Sequence, residues 1–251
     1  MRQCHRCVRP GFTIREAATA LVIAVVIMSI LLPSLQRARV ESRRAVCQSQ
    51  LVAIGSAWFA YLEDHDQTFP PLPGNVAWRW GGTMTRGEAA GVTLDPERPF
   101  NAYLPRRVVD EHGQHLCKCP ADCGLDGSSS TFETFGTSYR ANSALFDTRS
   151  IVRDDTVSYR GLRRRDITTA PSRLLVLGDP VWYEVIEDTG RHAVWHGDRS
   201  MGNFLFLDGS VRYGKVYPRG RVGPIVVDPF MAGERRAMTT PTSAPADSVT
   251  E

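Results

Sequence analysis

The side chains of this sequence that can do chemistry gather in four places. Cys4 and Cys7 form a C-x-x-C pair, a spacing suited to metal or redox work. His115, Cys117, Cys119 and Cys123 lie close together in the chain; they are donors zinc accepts, but they lack the paired C-x-x-C knuckles of common zinc sites. His196, Asp198 and Asp208, with Asp179 upstream, bring an imidazole and carboxylates that suggest a catalytic set. Glu16 stands alone at the mouth of an apolar run.

Each set has a plainer reading. Asp208 is followed by Gly209, and turn chemistry accounts for that pair without catalysis; His196 then ends a strand and Asp198 caps a loop. Oxygen ligands on loops suit calcium, so Asp179, Asp198 and Asp208 stand as a calcium alternative, although their spacing is not that of an ordered calcium loop. No serine elbow, zinc-protease helix signature or phosphate loop occurs in the sequence. The expectation is a protein that is not an enzyme and that needs no cofactor, with calcium as the alternative.

The elements that must carry these residues begin with a helix. Between Glu16 and Arg37 no residue is charged, and about twenty apolar residues suffice to cross a bilayer core as a helix. A cleaved secretory signal has an apolar region of about 7–15 residues ending in small residues; here Leu-Pro-Ser-Leu leads instead into residues 36–64, where charge returns without a strong helix breaker. There Cys47, Leu51, Ile54, Trp58 and Tyr61 recur at three- and four-residue spacing, one stripe of an amphipathic helix. One helix from near Thr13 to Leu62 is predicted, roughly 75 Å long at 1.5 Å per residue. Pro33 should kink it, because proline lacks the amide donor and crowds the preceding turn. Arg2, Arg6 and Arg9 precede the span and Arg37, Arg39, Arg43 and Arg44 follow it, so flanking charge does not orient it.

Arg9-Pro-Gly-Phe-Thr-Ile-Arg-Glu16, the apolar run, Pro33 and the stripe together resemble the N-terminus of type IV pilins and type II secretion pseudopilins. The resemblance covers residues 9 to about 65, and Arg15 departs from it, since the family usually has an apolar residue there. It implies that a membrane prepilin peptidase cuts between Gly11 and Phe12 and methylates the Phe12 amine, making Glu16 the fifth residue of the mature chain. It also implies a cytoplasmic leader, a single pass through the inner membrane and an exported C-terminal domain. A carboxylate in hydrocarbon costs about 2.5 kcal/mol or more and needs a partner charge. In the family that partner is the new amine of a neighbouring subunit. The alternative leaves Glu16 in the headgroup region beside Arg15 or water.

The remainder of the chain is globular in composition. With 251 residues, 42% hydrophobic and 23% charged, it can bury a core as one main domain plus an appendage. The net charge of +3 comes from scattered arginines; the cluster Arg163, Arg164, Arg165 is followed at once by Asp166 and is no nucleic-acid footprint. "HDQTFPPLPGN" is a turn-rich exit from the helix. "DPERPFNAYLP" predicts a short helix with Asp95 as cap and Pro96 first, and residues 112–142 an irregular, cross-linked excursion. Strand signals fall on Arg173–Leu177, Val181–Ile186, "NFLFLDGSVRYGKV" and "GPIVVDP". Asp208-Gly209 reads as a tight hairpin with both turn residues at positive φ. The fold class is α+β: a long transmembrane-plus-amphipathic helix packed on a small antiparallel sheet, with a loop-rich insertion. The divisions are a leader at 1–11, a transmembrane segment at 12–35, its amphipathic continuation at 36–64, an exported domain at 65–231 and a tail at 232–251 with little to bury.

A second resemblance lies in the C-terminal part. "CPAD" (Cys119, Pro120, Asp122), "SYRAN" (Ser138, Tyr139, Asn142), "PSRLLVLGD" ending at Asp179, and "WHGDRSMGNFLFLDGSV" (His196, Asp208, Gly209) look like a bacterial pilin-like family with a C-terminal H-X9-DG processing-associated motif. Here eleven residues rather than nine separate His196 from Asp208. Cys4 and Cys7 fall in the leader, and Cys47, Cys117, Cys119 and Cys123 can pair in three ways. The family often has cysteines matching Cys47 and Cys119, which implies those two as one bridge and Cys117 with Cys123 as the other. Zinc on His115, Cys117, Cys119 and Cys123 is the rival.

Three functions follow. A structural subunit accounts for the leader, glycine, glutamate and long helix together; its partners are the peptidase, other pilin-like subunits and the membrane. A ligand-binding module would share the anchor and display Trp78, Trp80 and Trp182. A tethered hydrolase would use His196 with acidic neighbours. The structural subunit explains the most.

Overall fold

The computed structural model describes residues 13–230 apart from 73–75, 87–89, 92, 106–107, 110–112, 114, 128, 147–148, 154–155, 188, 191–193, 198 and 219–222. Gly11, Phe12, Asp198 and the 232–251 tail therefore lie outside the described residues.

Helix α1 (Ile14–Asp64) runs 51 residues and continues through Pro33. Its start is a capping box: the Glu16 carboxylate accepts from the Thr13 amide at 2.9 Å and the Thr13 hydroxyl at 2.8 Å, while the Thr13 hydroxyl accepts from the Glu16 amide. The chain divides after Ser42 into two compact units. The first contains an uninterrupted set of exposed aliphatic side chains, Leu21 and Ile30 each 68% exposed, on a helix long and apolar enough to cross a bilayer. Such a surface is far more apolar than water tolerates on an isolated soluble helix.

The second unit opens with the amphipathic part of α1. Cys47, Leu51, Ile54, Trp58 and Tyr61, the predicted stripe, are all buried. Trp58 stacks on Phe100 at 4.0 Å between ring centroids and meets Phe69, Trp80 and Phe146 at 5.6–6.0 Å in tilted contacts, while Phe69 meets Phe146 edge-on at 6.3 Å. Gly55 faces the sheet so closely that a Cβ there would lie 2.9 Å from Leu205 Cδ1. Burial of this stripe is what orders the helix, since short helices are marginal without tertiary packing.

The sheet has four antiparallel strands in the order β1 (Arg140–Ala141), β4 (Leu175–Gly178), β5 (Met201–Phe206), β6 (Val211–Lys215). A separate hairpin joins β2 (Arg149–Arg153) to β3 (Thr156–Arg160), with Arg149 opposite Arg160. The β5–β6 hairpin forms at Asp208-Gly209 as expected, with a different turn. Phe206 accepts from the Gly209 amide and donates to the Ser210 carbonyl, both at 2.9 Å. Gly209 has φ 84°, whereas Asp208 is not among the positive-φ residues. This is the three-residue loop with one left-handed glycine rather than the two-residue loop with two left-handed positions.

Three other expectations need correction. Val181–Ile186 is not a strand but helix α3 (Val181–Glu187). The Pro180 carbonyl accepts from the Tyr183 and Glu184 amides, and a proline at that point pre-sets a helix start. "GPIVVDP" supplies no strand; Val226 makes one parallel bridge, bonding to Leu175 and Arg173. The short helix near residue 96 is a single tight turn, Pro99–Ala102, with Pro99 first. Asp95 is not its cap, a position held by Arg98 with no side-chain bond; Asp95 lies upstream, accepting from the Glu97 amide at 3.1 Å and from Arg98 Nε at 3.2 Å. The 112–142 excursion also holds a short helix, α2 (Thr131–Phe135), closed by Gly136 at φ 74°.

Candidate functional site

The sequence motifs meet around one buried sulfur pair. Cys47 of α1 is disulfide-bonded to Cys119 of the loop excursion, with 5.5 Å between Cα atoms and 72 residues between them in sequence. Cys117 and Cys123 are free, which corrects the second expected bridge. The reason is burial: Cys117 is fully inside the core while Cys123 is exposed, so the two thiols occupy different surroundings. Burial pushes the Cys117 thiol up to about 12, with Arg98 opposing, which leaves it an unreactive neutral thiol. With Cys119 committed to Cys47, the zinc set of His115, Cys117, Cys119 and Cys123 is not assembled.

Loop residues are held by Asp122. Its Oδ1 accepts from the Gly124 and Thr131 amides at 2.9 Å, and its Oδ2 from the Phe132 amide at 2.8 Å and the Ser138 hydroxyl at 2.6 Å. Ser138 Oγ in turn accepts from the Cys119 amide at 3.0 Å. Exposed Pro120 sits inside the turn that the Asp122 amide closes onto the Cys119 carbonyl. Burying a carboxylate is offset here by several donors converging on it.

Two further ties bind this loop to α1 and the sheet. The Tyr139 hydroxyl donates to Gln50 Oε1 at 2.5 Å, and Gln50 Nε2 donates to the His115 carbonyl at 3.1 Å. Burial raises the Tyr139 phenol well above its ordinary value, so it remains a donor. Asn142 Nδ2 donates to the Leu175 and Val227 carbonyls at 2.9 and 2.7 Å, joining β4 to the 226–228 segment. His115 accepts from the Cys117 amide through Nδ1 at 3.0 Å, and burial, with a smaller contribution from Lys118, lowers its pKa to about 4.

His196 does not end a strand. It occupies a bend before β5, is 4% exposed, and comes to the disulfide from 77 residues away. Its Nε2 lies 3.5 Å from Cys119 Sγ and 3.3 Å from Asp179 Oδ2. Asp179, 1% exposed at the end of β4, takes the Asn203 amide at 2.7 Å and Asn203 Nδ2 at 3.1 Å on the same oxygen. The Tyr213 hydroxyl donates to the His196 carbonyl at 3.2 Å, and Arg44 stacks over the Tyr213 ring at 4.5 Å.

Asp208 takes no part in this cluster. Its Oδ1 accepts from the Ser210 amide and hydroxyl, and Gly209 lies against Phe59. Burial opposes ionisation of Asp208, but the Ser210 bonds and Arg212 outweigh it and lower its pKa. Asp179 and Asp208 are thus engaged by different partners, which gives the calcium set of Asp179, Asp198 and Asp208 no support among the described residues. Trp78, Trp80 and Trp182 are buried rather than displayed.

Sequence reasoning missed Gln50 and Asn203. Gln50 falls three residues after Cys47, on the inward face of α1, where a polar side chain signals a buried partner; Asn203 interrupts an otherwise apolar strand. The cluster can stabilise and align, and it places an imidazole and a carboxylate beside a sulfur pair. Comparison with family models, with curated proteins and with solved structures gives no match.

Proposed function

We propose that this protein is a membrane-anchored, pilin-like structural subunit, cut between Gly11 and Phe12 by a prepilin peptidase and assembled with other pilin-like subunits through α1. The observation that carries this reading is the composition of one continuous helix: an exposed apolar span preceded by Glu16 and followed, without a break, by a stripe buried in a folded domain. A secretory signal has no need of such continuity, and a soluble core helix would not leave its apolar half exposed.

In this reading Glu16 meets the Phe12 amine of an adjacent subunit, so that only processed chains assemble with matched charge. The capping box supports a second feature of the same idea: within its own chain the carboxylate is already aimed along the first turn by Thr13. The leader is cytoplasmic and the domain from residue 65 lies outside the inner membrane. The ligand-binding alternative gains nothing from Trp78, Trp80 or Trp182, which are not on the surface.

The decisive measurement is the intact mass of the protein made with and without a prepilin peptidase. Loss of the first eleven residues with one added methyl group is the expected result; an unprocessed N-terminus in the presence of the enzyme would overturn it. Incorporation of Glu16→Ala into filaments then separates assembly from anchoring.

A further inference from the structure

The buried sulfur pair carries more than a cross-link. Cys47 Sγ, Cys119 Sγ and a ring nitrogen of His196 all lie within 4.8 Å of one another, and all three residues are buried. We infer that when the Cys47–Cys119 bond is reduced, these three side chains form a binding site for a zinc-class ion. The inference is independent of whether the chain is cut at Gly11.

Geometry is the first argument. Metal–sulfur and metal–nitrogen bonds of about 2.3 and 2.0–2.1 Å at a tetrahedral angle place the two donor atoms about 3.5 Å apart. The separation of Cys119 Sγ from His196 Nε2 is 3.5 Å. A disulfide needs no imidazole at that distance, whereas a thiolate pair with an imidazole is a zinc donor set.

A second observation is independent of the histidine. The Ala121 amide points at Cys119 Sγ from two residues further along the chain, at 3.4 Å. Amide-to-sulfur hydrogen bonds stabilise the charge of metal-bound thiolates, and a disulfide sulfur, being neutral, has much less use for one. Cys119-Pro120-Ala121 is thus shaped as half of a metal knuckle, with Cys47 and His196 arriving from other elements.

The histidine is also free to serve. Its Nδ1 is buried without a hydrogen-bond partner among the described residues, so nothing on the far side of the ring commits it to one tautomer. With the disulfide closed, Nε2 lies 3.3 Å from Asp179 Oδ2; with the thiols open, the tautomer that carries its proton on Nδ1 turns the Nε2 lone pair to the ion. The chemistry balances. Two equivalents of a thiol reductant break the S–S bond and leave as their own disulfide, giving two protein thiols; the ion then displaces both thiol protons, two per metal bound. Three protein donors leave a fourth position for water, the arrangement of an open rather than a closed zinc site.

Full-length protein with Cys4→Ser and Cys7→Ser, which removes the other cysteine pair, provides the test. It is reduced with a phosphine in detergent, desalted without oxygen, and titrated with Co2+ as an optical stand-in for zinc. The expected result is one Co2+ per chain with a thiolate-to-cobalt charge-transfer band, bleached by Zn2+, lost in Cys47→Ser and His196→Ala, and kept in Cys117→Ser and Cys123→Ser. A second readout needs no variant that disturbs the core: with Zn2+ bound, alkylation mapped by mass spectrometry should slow at least tenfold at Cys47 and Cys119 and be unchanged at Cys123. Absence of the band in the reduced protein, or protection of Cys117 and Cys123 instead, would overturn the inference.

Discussion

Two stretches of one helix, residues 14–42 and 43–64, have the same backbone and opposite fates for their apolar side chains. In the first, Leu21, Ile23, Ile27 and Leu31 are exposed; in the second, Leu51, Ile54, Trp58 and Leu62 are wholly or almost wholly buried. Helix propensity cannot explain the difference, because both stretches are helical. What differs is the pattern: between Glu16 and Arg37 the first carries no charge on any face, and the second is apolar on one. An exposed apolar segment with no charge on any face must find its solvent elsewhere, in lipid or in other copies, while a striped one can be satisfied by its own chain.

Mutations should fall out along that contrast. The largest effect is expected at Trp58. Trp58→Ala empties the aromatic cluster and should cost about 3–5 kcal/mol in denaturant unfolding of the detergent-solubilised protein, whereas Ile30→Ala in the exposed stretch should leave that transition in place. Equal losses would abolish the distinction. Next comes the bridge. Cys47→Ser should cost about 2–4 kcal/mol, measured under oxidising conditions against the parent, and the gap should close once both are reduced.

Smaller effects sharpen the picture of how the second stretch is held. Tyr139→Phe strands the Gln50 carbonyl oxygen in the core and should cost about 1–3 kcal/mol; Tyr139→Phe combined with Gln50→Leu should recover part of it. Acid works through His115, whose pKa falls from 6.5 to about 4 on folding. Between those values the unfolded chain holds the extra proton, so stability is fully present above about pH 6.5 and declines as pH drops towards 4. His115→Asn keeps an acceptor for the Cys117 amide and should flatten that part of the pH profile relative to the parent. The slightest change belongs to Thr13→Ala, which should speed hydrogen exchange of the first-turn amides of α1 and leave the domain's melting unaltered.

Features written in local chemistry were readable from the sequence. The stripe at three- and four-residue spacing located α1 to within two residues at its end, and Asp208-Gly209 located the β5–β6 hairpin. The turn type escaped because Asp-Gly also fits a loop with a single left-handed glycine. Val181–Ile186 was misread because six residues with polar and apolar side chains intermixed satisfy a period of two about as well as one of 3.6; Pro180 was the discriminating residue. The site was legible only in its parts. Cys119, Asp122, Ser138, Tyr139 and Asn142 were singled out as motif residues, yet nothing in their spacing says that Asp122 organises the loop. His196 and Cys119 are 77 positions apart, and only tertiary folding brings an imidazole to a sulfur over that separation. The Cys117–Cys123 pairing failed for the same reason, since proximity in sequence says little about which thiol faces inward.

Gly55 has a practical consequence. Because the sheet presses on α1 at the one place where no side chain intervenes, each carbon added there acts as a wedge against Leu205. Alanine, then valine, would pry helix and sheet apart in graded steps while every disulfide, cap and polar network stayed chemically intact. The position is a built-in dial for loosening the domain, and with it a means to ask how much rigidity the molecule requires.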